Sequence, residues 1–171
     1  SGAHDVAVKR QFQLRQVDKT HVAIVAGAMM DSRGTIDVAL RRRASSELSI
    51  LMEAHPDGLP SRTRYEVLER RTGATFVRLW PETGRQHQLR VHLASLGHPI
   101  IGDKLYGPEG PQVFLDIIEQ GLTDAIVLRL GHHRHALHAE SLAFNHPGTA
   151  ERCSFTAPLP EDLRLLWERL V

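Results

Sequence analysis

The chain has one cysteine, Cys153, so no disulfide can close within it, and a lone thiol fits a reducing compartment. It has no apolar run of about 18 residues, which excludes a membrane-spanning helix. No basic n-region followed by an apolar h-region opens it, so no secretory leader is read. These absences together point to the cytoplasm. Charge of one sign is also missing: 21 basic and 20 acidic residues leave a formal charge of +1. Bulk electrostatics therefore selects neither a nucleic acid nor an acidic partner. With no internal repeat, low-complexity tract or interdomain linker, residues 1–171 read as a single domain.

What is present begins with a 42% hydrophobic composition, enough for a core. The arginines are clustered: Arg41 to Arg43, Arg62 with Arg64, Arg70 with Arg71, and Arg85 with Arg90. Val6 to Arg15 reads as a helix. His21 to Ala26 reads as a buried strand ended by Gly27. Gly34 to Arg41 and Glu47 to Ala54 are further strands. Arg62 to Arg70 alternates apolar and charged residues, turns at Arg71-Thr72-Gly73 and returns as Ala74 to Trp80, a hairpin closed by Pro81.

Thr83 reads as the N-cap of the next helix, with Leu89, His92, Leu93 and Leu96 as its core stripe and Gly97 as its left-handed stop. Arg90 falls on the flank of that stripe, at the margin of the core. Val113 to Gln120 is a short helix, Ala136 to Phe144 and Arg152 to Thr156 a second hairpin. Pro160-Glu161-Asp162 opens a last helix buried through Leu163, Leu166, Trp167 and Leu170. The predicted class is α+β, a mixed and largely antiparallel sheet with flanking helices.

Three groups of residues carry chemistry. The run Arg85-Gln86-His87-Gln88-Leu89-Arg90 sets hydrogen-bonding side chains in the first turns of an apolar helix. Arginine there grips phosphate or carboxylate in a bidentate way that lysine does not copy; an ordinary polar helix surface is the competing reading. His132, His133, His135 and His138 have a spacing that admits zinc. No carboxylate completes a recognised pattern, however, so no metal is expected and a loop entering a strand is preferred. Asp103, after Gly102, reads either as a second acid of the site or as a turn aspartate bonded to its own loop, and the turn is preferred.

Thr83-Gly84-Arg85-Gln86-His87-Gln88-Leu89-Arg90-Val91-His92, followed by Gly97-His98-Pro99-Ile100-Ile101-Gly102-Asp103-Lys104-Leu105-Tyr106-Gly107, closely resembles the RluA-type pseudouridine synthases. Weaker matches lie in the same order at Asp18 to Ala23, Gly34 to Asp37, Thr63 to Val67, Leu137 to Ala139, His146-Pro147 and Ala157-Pro158. The resemblance implies isomerisation of a flipped-out uridine in ribosomal or transfer RNA, without a metal or organic cofactor. It also implies a catalytic aspartate in an arginine-leucine-aspartate segment, paired with an arginine that by motif match is Arg90. His21 stands where the family places a tyrosine against the base. Arg85, His87 and Gln88 are the expected RNA contacts or site scaffold, and Lys104, Tyr106 and Arg134 are expected either to line the groove or to brace the fold.

No arginine-leucine-aspartate segment occurs in this chain. Residues 1–171 are therefore expected to be the C-terminal portion of a catalytic domain, inactive alone, with Arg90 awaiting an acid from elsewhere. RNA is the expected partner; either the faces left uncovered by the missing part form a homodimer, or the chain is a fragment of a longer polypeptide. The alternative is a noncatalytic RNA-binding module derived from the same fold.

Overall fold

The computed structural model describes residues 2–14, 16–44 and 48–170. The class is as expected: six strands form one antiparallel sheet and helices flank it. Helix α1 (Gly2–Gln13) leads to β1 (Asp18–Ala26), then β2 (Arg33–Asp37), β3 (Leu40–Arg42) and β4 (Met52–Ala54). The hairpin β5 (Arg62–Arg71) and β6 (Ala74–Pro81) precedes three helices, α2 (Gln88–Ser95), α3 (Gln112–Gln120) and α4 (Asp124–Leu130). The hairpin β7 (Leu137–Asn145) and β8 (Arg152–Thr156) and the helix α5 (Glu161–Arg169) complete the order.

The large sheet runs β2-β5-β6-β1-β7-β8, and β3 and β4 form a separate two-stranded ribbon. Strand β1 lies inside the sheet because Val22 to Val25 are all buried, a continuous apolar run covered on both faces. It pairs with β6 in regular register, His21 opposite Leu79 and Ala26 opposite Ala74. Against β7 its register shifts between Thr20 and His21. The extra residue is Glu140 on β7, beside the pair that His21 makes with Ala139.

Helix α2 is tied to β5 at Thr63, while Trp167 of α5 stacks 5.6 Å from Phe76 of β6. Thr63 pairs with Pro81, an odd number of residues from Phe76 along β6. By strand alternation the two helices therefore cover opposite faces of the sheet. Among the described residues no helix is long and apolar enough to cross a membrane.

Several boundaries differ from expectation. The expected strand from Gly34 to Arg41 is two strands, because the chain leaves the large sheet after Asp37 and Leu40 begins the ribbon. The strand expected from Glu47 shrinks to Met52–Ala54. Glu47 itself, like Arg15 at the end of the expected first helix, lies outside the described residues. Helix α2 starts at Gln88 and not just after Thr83, and Leu96 at its end is 41% exposed, so the stripe stops at Leu93. Gly97 does adopt the left-handed conformation, with φ 80°. Helix α4 was not expected. Its signals are local: the Thr123 side chain accepts from the Ile126 amide, and Gly131 closes it with φ 78°.

Candidate active site

The loop from Thr83 to His87 is stapled to β5 before α2 begins. Thr83 Oγ1 accepts from the Arg62 amide at 2.9 Å and donates to Gln88 Oε1 at 2.7 Å. Gln88 Oε1 also accepts from the Arg85 amide at 3.0 Å, and Gln88 Nε2 donates to Arg62 O and Thr63 Oγ1, both at 3.0 Å. Gln88 is buried and engaged at both its oxygen and its nitrogen. It scaffolds the loop, one of the two roles expected of it.

The price of this arrangement is paid at His87, whose backbone sits in the left-handed region at φ 53°, ψ 18°. Only His87 and Ala150 do so among the described non-glycine residues. A non-glycine residue holds such torsions when its surroundings over-determine them. Here the His87 ring is fixed: Nδ1 lies 2.7 Å from the Tyr106 hydroxyl, whose oxygen accepts from the Met52 amide at 3.0 Å. Burial and the nearby Arg90 charge lower the His87 pKa, so the ring is neutral at pH 7. We assign Nδ1 as acceptor and the tyrosine hydroxyl as donor.

One turn further on, Arg90 meets an acid of its own chain. Its Nε donates to Asp103 Oδ2 and its Nη2 to Asp103 Oδ1, each at 2.7 Å. The guanidinium carbon lies 4.9 Å from the centroid of the Tyr106 ring. Arg90's side chain is 13% exposed and Asp103's is wholly buried. Asp103 Oδ1 also accepts the amides of Leu105 and Tyr106 at 2.9 and 3.0 Å. Burial alone would raise the Asp103 pKa, but the Arg90 hydrogen bonds and charge and the two amides outweigh it and hold the carboxyl below its ordinary range.

Asp103 is thus the expected turn aspartate, and it is also the partner of Arg90, a contact that was not expected. The pair was missed because the two residues are joined only by the path of the chain through Gly97 to Gly102. The signal available was the glycine before Asp103: Gly102 has φ 79°, and a Cβ there would stand 2.0 Å from the Arg134 carbonyl oxygen.

Arg90 shares the wall of a 240 Å³ cavity with His21, Arg85, His87 and Gln88, and no carboxylate belongs to that lining. Arg90 Nη1 makes no hydrogen bond to the described residues, so one donor edge remains for a further acceptor. His21 projects from β1 beside the register shift; burial, then Lys19 and His138, lower its pKa. Its Nδ1 is buried without a hydrogen-bond partner among the described residues. Arg85 is loosely held, its Nε and Nη2 both 3.4 Å from Pro60 O.

The remaining expected residues lie outside that lining. Tyr106 sits behind it, bracing both His87 and Arg90. Lys104 is half-buried in the turn after Asp103. Arg134 grips Asp162 of α5 through Nε at 2.7 Å and Nη2 at 2.9 Å, which ties the last helix to the 131–135 loop. His132 and His133 approach the same carboxylate at 3.2 and 3.8 Å. The Arg134 hydrogen bonds hold the Asp162 pKa far below normal. Ligand atoms of His132, His133 and Asp162 all lie within 4.8 Å, close enough for a cation. Such an ion would share its only carboxylate with a guanidinium, and that repulsion favours the knot as a structural clamp.

Buried histidines give the fold a pH dependence. His92, with 0% exposure, places Nδ1 2.9 Å from Thr63 Oγ1 and Nε2 2.9 Å from Val38 O. Burial lowers its pKa, as it does for the partly buried His21 and His87 and the buried His132. Below about pH 6.5 the unfolded chain binds protons that the folded chain refuses, so stability present above that pH is lost as pH falls. Scanning calorimetry is expected to show Tm falling steadily from pH 7 to pH 5, by roughly 2–4 °C for each kcal/mol lost. A Tm that is flat over that range would contradict the neutral buried rings.

The sequence profile described as RNA pseudouridylate synthase matches residues 3–95. Ribosomal large subunit pseudouridine synthase D of Xanthomonas campestris is 39% identical over 165 residues, covering 96% of this chain and 47% of the relative. The Haemophilus influenzae protein of the same name is 37% identical over 155 residues, 90% of this chain and 45% of its own. The solved structure of human RNA pseudouridylate synthase domain containing 1 superposes with a TM-score of 0.69 at 31% identity, covering 90% of this chain and 59% of the human one. The chain thus spans about half the length of the curated relatives it matches. On the profile match, the identity to curated relatives and the shared fold, the chain belongs to the RNA pseudouridylate synthase family.

Proposed function

We propose that this chain forms the arginine-bearing half of a site that isomerises uridine to pseudouridine in RNA, with large-subunit ribosomal RNA as the substrate class given by the names of its relatives. The carrying observation is Arg90: a guanidinium fixed on one edge by Asp103 and on its face by Tyr106, with Nη1 unspent, on the wall of a cavity that bears no carboxylate. The reaction breaks the bond between uracil N1 and C1′ of the ribose and forms one from C5 to C1′. The C5 proton is released and N1 gains one, so no electrons leave and no redox cofactor is called for. Arg90 holds the acid of the reaction in its ionised form, since an opposite charge at contact lowers a carboxylate's pKa. His21, neutral and apolar in its packing, lies against the base. Arg85 is placed for phosphate.

That acid is absent from the cavity lining, so residues 1–171 alone are inactive and the carboxylate is brought by further polypeptide. Tritium release from RNA labelled at uridine C5 tests this. The expected outcome is binding of RNA by the chain without tritium release; turnover by these 171 residues would refute the assignment of a missing acid. The second reading, a noncatalytic RNA-binding module, is favoured by the same carboxylate-free lining. It predicts that the parent polypeptide, too, binds without turnover. Exposed Leu14, just after α1, and Phe155 on the edge strand support a homodimer. A monomer by sedimentation would remove that partner.

A further inference from the structure

A second and larger groove, of 750 Å³, opens beside the site cavity and shares Lys19, Thr83 and Arg85 with its wall. Its other walls bring together charges and rings. Arg64 and Trp80 are cross-strand partners on β5 and β6, so they project from the same face, and the Arg64 guanidinium lies 5.4 Å from the Trp80 ring centroid. Across the groove the Lys19 ammonium lies 5.4 Å from the ring of Phe12. Trp80 is half-buried and Phe12 is 44% exposed, so both rings are partly open to the groove.

The acids that line it are already matched. Asp18 is ion-paired with Arg152, and Glu82 with Arg62 at 3.4 Å and Arg64 at 2.9 Å. Lys19 and Arg85 have no carboxylate partner among the described residues. The groove thus combines two unmatched cations with two aromatic platforms and leads into the cavity assigned to the reacting base. Cations that follow a sugar-phosphate backbone, alternating with rings on which bases stack, are the physical requirements for single-stranded nucleic acid.

We propose that this groove is a subsite for the unpaired nucleotides flanking the target uridine, with Trp80, steadied by Arg64, as a stacking platform and Lys19 and Arg85 facing phosphates. The inference rests on the RNA reading above and adds a strand path to it. It predicts that the protein engages a base extruded from an unpaired stretch, because a paired strand would hide the base faces that Trp80 and Phe12 need.

Fluorescence anisotropy of the 171-residue chain with a labelled single-stranded RNA nonamer, uridine at its centre, tests the subsite. Trp80→Leu and Arg64→Gln, neither of which lines the smaller cavity, are each expected to weaken nonamer binding about tenfold. Binding of uridine 5′-monophosphate, followed by calorimetry, should be unchanged in both. Circular dichroism screens Trp80→Leu for folding, and Arg64→Gln carries the test if that variant fails. Nonamer binding unchanged in Arg64→Gln and in folded Trp80→Leu would leave the groove to a polypeptide and overturn the subsite while the RNA reading stands. Failure of the unsubstituted chain to bind any RNA would overturn the RNA reading itself.

Discussion

Replacing Asp103 by alanine is expected to destabilise the protein by about 3–5 kcal/mol, read as a shift in the urea midpoint at unchanged slope. The substitution removes a carboxylate that is wholly buried and strands a guanidinium that is only 13% exposed. It also orphans the amides of Leu105 and Tyr106, each of which loses its acceptor. Asp103→Asn separates the two contributions. An asparagine oxygen still accepts both amides, so the variant should recover part of the loss and leave the charge deficit. A cost below about 1 kcal/mol for alanine would show that Arg90 finds another partner or reaches water. Because Arg90 is the residue on which the proposed chemistry turns, the same variant should also disorder the site wall.

Gly102→Ala is the second large effect, expected to cost on the order of 4 kcal/mol or more and to yield little folded protein. The reason is geometric. A Cβ at this position would stand 2.0 Å from the Arg134 carbonyl oxygen and 2.8 Å from its carbon, and both atoms are backbone. The φ of 79° adds strain that an L side chain rarely tolerates. The segment cannot retreat, because Gly102 donates to Leu130 O, and next to it the Ala136 amide donates to Ile101 O. Soluble yield and the thermal transition of the variant give the measurement; a Tm within a few degrees of the parent would contradict it. Gly73, also left-handed but with no atom within 4 Å of its would-be Cβ, is the control: alanine there meets torsional strain alone.

Much of the fold was legible in the sequence, for identifiable reasons. The β5–β6 hairpin announced itself by alternation and by Gly73 at the turn, signals that act within a few residues. The left-handed stop at Gly97 and the proline entry to α5 are of the same local kind. What escaped reading depended on distant groups. The start of α2 is set by Gln88 reaching back to β5, so the good capping residue Thr83 does not open the helix. The break between β2 and β3 follows from β3 pairing with β4, a choice that no window around Asp37 contains. In the site, the motif placed Arg90 at the core margin correctly. It could not reveal that Asp103 closes on it, since composition does not tell a turn aspartate from an ion-pair partner. For Arg134 the sequence left groove lining and bracing of the fold open, and only its contact with Asp162, on a helix that begins far along the chain, shows it bracing.

The contorted backbone at His87 has a consequence beyond local geometry. Its ring is held by Tyr106, and Tyr106 is held by the Met52 amide, so three segments remote in sequence meet through one phenol oxygen. The first peptide of the site helix is therefore governed from the two-stranded ribbon on one side and from the 103–107 turn on the other. Linkage is reciprocal. A molecule that steadies His87 from within the cavity must also stiffen the ribbon, and anything that seizes the ribbon alters the readiness of the cavity. The hydroxyl of Tyr106, together with the packing of Val91 on Leu40 and Met52, thus couples an outlying hairpin to the cavity that Arg90 lines.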